Sequence, residues 1–309
     1  MRKLSGVAIL LLISISACTF PAPVVTPVAP VTPALPATPS ATVTTLPTFA
    51  PQPGFDPALY RPAMRPEFAA DVDRFGAAPR YLVALSVDLN ALQVTGREQV
   101  RYTNTSASPL DEIYFRLFPS APGFGGAMTV TRVLLGGQVV TPQLDQRGTA
   151  LKVPVTLAPG ASADLALDFA VSIPRSPTVG YAMFGSINGM TTLPDVYPVI
   201  PVRDESGWHV EIAPEYGDET FTPTALYDVS ITTPVSQVVV TSGTCQNPAA
   251  GRWRCVSGPM RDFMLAMSAD YQVVTQTVED VTVRSFYLPG DQAGGEHGLK
   301  VAADALRVY

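Results

Sequence analysis

The chain has 309 residues, of which 47% are hydrophobic and only 15% charged, with a formal net charge of −6. No Lys/Arg cluster exists to neutralise phosphates, so nucleic acid is excluded as a partner. The length leaves room for one large or two ordinary domains with a real core.

The N-terminus reads as a secretory signal. Arg2 and Lys3 supply the positive start, and Val7 to Ile15 is an apolar run too short to span a bilayer, which needs ~20 residues. Ile15-Ser16-Ala17-Cys18 follows and resembles the lipobox of bacterial lipoproteins, in which the peptide is cut before the cysteine and the thiol is diacylated. Residues 1–17 are therefore expected to be a signal peptide and Cys18 a lipidated mature N-terminus, anchored to a membrane on its extracytoplasmic side. An ordinary signal peptide with a chance cysteine is the competing reading.

Residues 18–54 contain no charged residue and hold ten of the 31 prolines, interleaved with Thr, Ala and Val. Proline fixes φ and removes donors, so this stretch predicts a disordered, polyproline-like tether. Residues 55–79 form an irregular lead-in.

From Arg80 the pattern turns to period two with many β-branched residues. Tyr81 to Leu89 and Gly96 to Asn104 alternate and predict a hairpin around Asn90-Ala91-Leu92. Further strands are expected at Glu112 to Phe118, Val130 to Leu134, Leu151 to Leu157, Ala163 to Ser172, Tyr227 to Thr232, Val238 to Ser242, Phe263 to Ser268, Tyr271 to Thr277 and Val281 to Tyr287. Short strands at this spacing, without a long amphipathic helix among them, predict a mainly β fold: an antiparallel saddle-like double sheet or β-sandwich over residues 80–289. Cys245 and Cys255 bracket a short loop with Asn247-Pro248 and Gly251, which reads as a disulfide across a hairpin in an oxidising compartment; two separate buried thiols are the alternative.

Residues 290–309 change character. Gly290 and Gly294-Gly295 lead into a helix whose first turn holds His297 and whose Leu299, Ala302, Ala303, Leu306 and Tyr309 share one face. Such an apolar stripe calls for a partner, either a further domain beyond Tyr309 or the sandwich itself.

Catalytic chemistry is sparse. The two histidines, His209 and His297, are not at metal-ligand spacing; His209 shares a strand-like face with Glu211, a partial site at most. No G-x-S-x-G occurs, Gly185-Ser186-Ile187-Asn188-Gly189 being the nearest imitation, and phosphate loops are absent. The acid pairs Asp111-Glu112 and Asp218-Glu219 read as solvated turn charges. No catalytic or metal-ligating set is identified.

Taken in order, the segments resemble the N-terminal β domain of the aminopeptidase N family of zinc metallopeptidases. Tyr81 to Leu89 with Val94 to Val100 resembles that family's opening hairpin, and Leu110 to Pro119 its next strand. Asp195-Val196-Tyr197-Pro198 and Leu226 to Thr232 resemble the passage near its active site, and Met260 to Ser268 with Val281 to Pro289 its last hairpin. The resemblance implies that the zinc site, with H-E-x-x-H and G-x-M-E-N, lies in a catalytic domain beyond Tyr309, and that zinc is the cofactor of that domain. It also implies a Gln or Glu for amine recognition within Tyr181 to Tyr197, where this sequence offers only Asp195. The function expected is thus the non-catalytic front portion of a membrane-anchored zinc aminopeptidase acting on peptide N-termini, itself inactive. The alternative is a complete, non-enzymatic surface lipoprotein whose β-sandwich binds a protein or glycan.

Overall fold

A computed structural model of the protein describes residues 54–175, 184–212 and 220–308. The signal sequence, Cys18, most of the tether, Asp218-Glu219, Tyr181 and Tyr309 lie outside the described residues.

Nineteen strands are named in chain order among the described residues: β1 (Arg80–Asp88), β2 (Gln93–Thr103), β3 (Leu110–Arg116), β4 (Ala127–Leu135), β5 (Gln138–Val140), β6 (Gln143–Asp145), β7 (Ala150–Leu157), β8 (Ser162–Ser172), β9 (Gly185–Ile187) and β10 (Met190–Pro194). They continue with β11 (Arg203–Asp204), β12 (Gly207–Trp208), β13 (Ala225–Thr232), β14 (Val238–Thr241), β15 (Thr244–Ala249), β16 (Arg252–Met260), β17 (Met264–Ser268), β18 (Gln272–Val278) and β19 (Val281–Tyr287), before helix α1 (Gln292–Val308).

The main sheet has eight strands in the order β15-β16-β13-β1-β2-β8-β4-β5. Alternation decides its inner face: Val94, Gly96, Glu98 and Val100 of β2 are buried while Thr95, Arg97 and Gln99 are only half-buried. The β1–β2 hairpin turns where the sequence places it, with Asp88 opposite Gln93 and Leu92 at φ +51°. One pairing departs from the expected all-antiparallel sheet. β1 and β13 run parallel, Tyr81 opposite Tyr227. Residues so far apart in the chain carry no local signal of that pairing, and the crossover is spanned by the intervening strands.

The remaining strands form a three-stranded sheet (β3-β7-β6), a four-stranded sheet (β14-β17-β10-β9) and two isolated pairs. Inner faces of the eight-, three- and four-stranded sheets share one continuous core: Val83 and Leu165 from the first, Ile113, Phe115 and Val153 from the second, Leu193, Leu265 and Met267 from the third. This is the double-layer β architecture expected.

On the main sheet's other face, cross-strand ion pairs take over from apolar packing. Arg97 and Arg132 hold Asp168, Arg101 holds Asp164 at 2.8 Å, and Arg254 holds Asp228 in a bidentate pair at 3.0 and 2.8 Å.

The lead-in is more ordered than the irregular segment expected. It is built of tight helical turns at Pro57–Leu59, Arg61–Ala63 and Pro66–Phe75, each with proline in its first positions, where the missing N–H is not needed. Its Tyr60 and Val72 bury against Leu226 in a small separate cluster. Arg65 then reaches Asp280, between β18 and β19, at 2.8 Å.

Helix α1 begins at Gln292, so Gly294-Gly295 lies within it and His297 sits in its second turn rather than its first. The glycine has a packing reason. A Cβ at Gly295 would stand 2.4 Å from the Tyr287 ring, so only glycine lets the helix lie this close on the β18–β19 hairpin. Gly295 and Ala303 are buried and Leu299 half-buried, while Ala302 and Leu306 stay exposed. Part of the apolar stripe is therefore covered by the hairpin.

Candidate functional site

β10 carries the chain out of the four-stranded sheet and ends at Pro194, and the next residue turns sharply. Asp195 adopts φ +48°, a left-handed conformation that Asp tolerates better than most residues. A turn aspartate is the simple expectation there, and the backbone agrees. The side chain does not: Asp195 is 2% exposed rather than solvated. Its Oδ2 accepts a hydrogen bond from the Thr220 hydroxyl at 3.2 Å, while Oδ1 is buried with no partner among the described residues.

The electrostatics follow from that position. Burial pushes the Asp195 carboxyl up to about 7, and the nearby Asp262 carboxylate adds to the rise. Thr220 and the Arg116 guanidinium pull the other way without overcoming it. A carboxyl that gains and loses its proton near neutrality, with one oxygen unsatisfied, is able to accept a donor such as an ammonium group or to hold a proton.

Three tyrosines pack against one another close to Asp195. Tyr81 and Tyr227 sit side by side on the parallel strands with ring centroids 5.0 Å apart, and Tyr197 meets both edge-on at 5.7 and 5.8 Å. Each hydroxyl pins a chain segment. Tyr81 accepts from the Ile200 amide at 2.9 Å, Tyr197 accepts from the Phe263 amide at 3.1 Å, and Tyr227 donates to the Arg261 carbonyl at 3.3 Å. Thr222 donates to the same carbonyl at 2.6 Å. Burial holds all three phenols above their ordinary range, so they stay neutral hydrogen-bonding groups. The segment after Asp195 and the residues on either side of Asp262 are thereby held in place.

Arg116 links this region to His209. It ends β3, lies 4.9 Å over the Phe118 ring, and donates to the His209 carbonyl at 3.4 Å. His209 follows the two-residue strand β12 and is not within a longer strand as its alternation suggests. Its Nε2 meets Asp204 at 2.7 Å and its Nδ1 meets Glu211 at 3.5 Å. The hydrogen bond to Asp204 leads the causes that raise its pKa. The two carboxylates approach opposite ring nitrogens, so they do not converge on a point where an ion could sit. Among the described residues no three His, Cys, Asp or Glu side chains are grouped to hold a metal.

The other residues singled out by sequence lie apart from Asp195. Cys245 and Cys255 face each other across β15 and β16, bridged, with Cα atoms 4.0 Å apart. His297 is exposed on α1. Asp111 is exposed, and Glu112 pairs with Lys152 at 3.6 Å. The imitation nucleophile motif is a hairpin turn: Asn188 and Gly189 take φ +51° and +80° between Ile187 and Met190, and Ser186 accepts from Thr191 at 2.9 Å.

Thr220, Arg116, Asp262 and the three tyrosines could not be assembled from sequence. They come from five separate stretches, and no spacing joins them.

No protein-family model matches the chain, and no curated protein does. Some solved structures are similar to part of the chain. An M1 zinc metallopeptidase mutant from Deinococcus radiodurans, bound to a Tyr-Ser-Ala substrate, is 18% identical with a TM-score of 0.46, over 69% of this chain and 48% of that one. The M1 zinc metallopeptidase from the same organism is 17% identical with a TM-score of 0.44, over 70% of this chain and 48% of its own. The chain thus spans about half the length of these structures.

Proposed function

We propose that this chain is the anchor, tether and β domain of an extracytoplasmic zinc aminopeptidase, and that Asp195 receives the free amine of a peptide substrate. The observation that carries the reading is the buried Asp195 carboxyl, whose Oδ1 has no partner among the described residues, within the stretch where the aminopeptidase N resemblance expects amine recognition. The order of the strand segments supports it. Zinc, held by residues outside this sequence, would supply an activated water. This chain contributes position instead: the tyrosine cluster holds the segments beside Asp195 and Asp262, the left-handed turn sets Asp195, and its carboxylate form pairs with an ammonium.

Lipid on Cys18 and the proline-rich tether would place the enzyme at a membrane surface, with peptides as partners and no role for nucleic acid. No helix among the described residues is long and apolar enough to cross a membrane.

The test uses the product of the whole reading frame. Chelator-sensitive release of N-terminal residues from a peptide amide is expected, absent when the peptide is N-acetylated. Asp195→Asn should raise KM for the free-amine peptide by about tenfold or more, the scale of one lost charged hydrogen bond. Equal KM in the variant removes Asp195 from amine binding, and a reading frame without H-E-x-x-H removes the enzyme. Loss of labelled-palmitate incorporation in Cys18→Ala tests the anchor.

A further inference from the structure

The end of the β11–β12 hairpin sets an imidazole between two carboxylates. Asp204 on β11 meets Nε2 of His209 at 2.7 Å, and Glu211, two residues past His209, meets Nδ1 at 3.5 Å. Asp204 is itself fixed, because its other oxygen accepts from the Ser206 amide and hydroxyl at 2.8 and 2.7 Å. Ser206 and His209 together hold that carboxyl below the ordinary carboxylate range, so it stays charged while the imidazole titrates.

An imidazolium has two N–H donors and a neutral imidazole only one. Protonated, His209 donates to both carboxylates. Neutral, it keeps its N–H on the nearer Asp204 and turns the Nδ1 lone pair toward Glu211, which is repelled. Glu211 is exposed, so it can swing into water.

The imidazole also bears on the stretch that holds Asp195. Its ring meets the Phe221 ring at 5.1 Å and close to a right angle, and Phe221 is the neighbour of Thr220. The backbone repeats the link: the His209 amide donates to the Val202 carbonyl at 2.9 Å, and the Val202 amide donates to the Phe221 carbonyl at 3.3 Å. Thr220 in turn makes the hydrogen bond to Asp195. Among the described residues the charged groups that face His209 are Asp204, Glu211 and Arg116. Arg116, from β3, reaches the His209 carbonyl at 3.4 Å rather than the ring, and Phe221 brings no charge.

We propose that His209 is a proton-operated latch, closed on Asp204 and Glu211 when the imidazole is charged and open at Glu211 when it is neutral, and that opening loosens Phe221 and Thr220 beside Asp195. Asp204 first, and then Glu211, favour the charged ring. The latch is therefore complete below the ordinary imidazole value of 6.5 and is lost as pH rises through the higher folded value. It goes beyond the aminopeptidase reading and does not depend on it, since it is read on the chain itself without substrate or metal.

His209 and His297 are the two histidines of the chain, so histidine labelled with ¹⁵N in the ring reports both by NMR, and His297→Gln assigns His209. In the full chain the His209 titration midpoint is expected to fall in Asp204→Asn and, by less, in Glu211→Gln. Amide exchange at Val202, expressed as protection relative to an unstructured chain, is expected to drop by about two- to fivefold between pH 5 and pH 9, the scale of one exposed ion pair. Both His209→Gln and Glu211→Gln should remove that drop; the second alters an exposed side chain and serves should the first fail to fold. A drop that persists in either variant assigns the pH response to another group, such as Asp195, and overturns the latch. So does constant protection in the native chain, or a His209 midpoint that neither carboxylate variant moves.

Discussion

Thr220 donates its hydroxyl to Oδ2 of Asp195 at 3.2 Å, and the other oxygen of that buried carboxyl has no donor among the described residues. The pair explains why Asp195 resists ionisation: one neutral hydrogen bond replaces the several that water provides. The folded carboxyl titrates at about 7 against an ordinary value of 3.8. Between those values the folded state binds more protons than the unfolded one, so stability falls as pH rises through that window and the full cost applies above it. That cost is on the order of 4 kcal/mol. Asn has no proton to lose and tolerates a positive φ. Asp195→Asn should therefore be more stable than the native chain at pH 8, by up to about 4 kcal/mol, with the gain vanishing near pH 4. Urea unfolding at both pH values checks this; a gain independent of pH would show that Asp195 is not the titrating group. A substitution that stabilises the β domain while weakening amine binding would also separate function from folding.

Gly96 on β2 faces Phe169 on β8 in register, and the ring lies over the place a side chain would occupy. A Cβ at Gly96 would stand 2.1 Å from the ring tip. Phe169 is 3% exposed and has little room to yield. Gly96→Ala should destabilise by about 1–3 kcal/mol, the usual cost of overpacking, despite replacing a glycine in a strand. Gly96→Ala combined with Phe169→Leu should recover part of that loss. Chemical denaturation of the single and double variants measures both.

Much of the main sheet is legible in sequence because its strands are long enough to show period two. Arg80–Asp88, Gln93–Thr103 and Ser162–Ser172 each run through several inward and outward positions. The short strands Gln138–Val140, Gln143–Asp145, Arg203–Asp204 and Gly207–Trp208 span two or three residues and cannot show a period at all. The helix is visible, but its start is not: Gly294-Gly295 reads as a break, and only the Tyr287 ring behind Gly295 explains why glycine belongs inside. Asp195 could be singled out by the resemblance of its neighbourhood. Its burial, and the partners that set its charge, arise from chain segments brought together only on folding.

The Cys245–Cys255 bridge staples the outermost strand of the eight-stranded sheet to its neighbour. The two residues are ten apart, so closure of so short a loop is worth at most about 3 kcal/mol. The effect should be local. Reduction, or Cys245→Ala with Cys255→Ala, is expected to accelerate amide exchange across Thr244–Ala249 far more than in Ala225–Thr232, which keeps its parallel partner. Equal acceleration in both strands would mean that the bridge holds the whole sheet.

Glu98 is the strongest local contradiction in the core. It is 0% exposed on the inner face of β2, opposite Val83 on one side and Leu167 on the other, and neither carboxyl oxygen has a partner among the described residues. Burial drives its pKa well above the ordinary range. The folded state must therefore keep Glu98 protonated while the unfolded chain releases that proton in mild acid, so its contribution becomes more unfavourable as pH rises above ~4. Methionine keeps the unbranched shape and removes both polar atoms. Glu98→Met should raise the melting temperature, and the increase should be larger at pH 8 than at pH 5, since only the native sequence must take up a proton on folding. Glu98→Gln removes the titration but keeps a buried polar group, so its gain should be smaller than that of Met and should show the same pH trend. Thermal melts of the three proteins at both pH values decide it: a Met variant no more stable than the native chain would mean that Glu98 is satisfied in solution by a buried water.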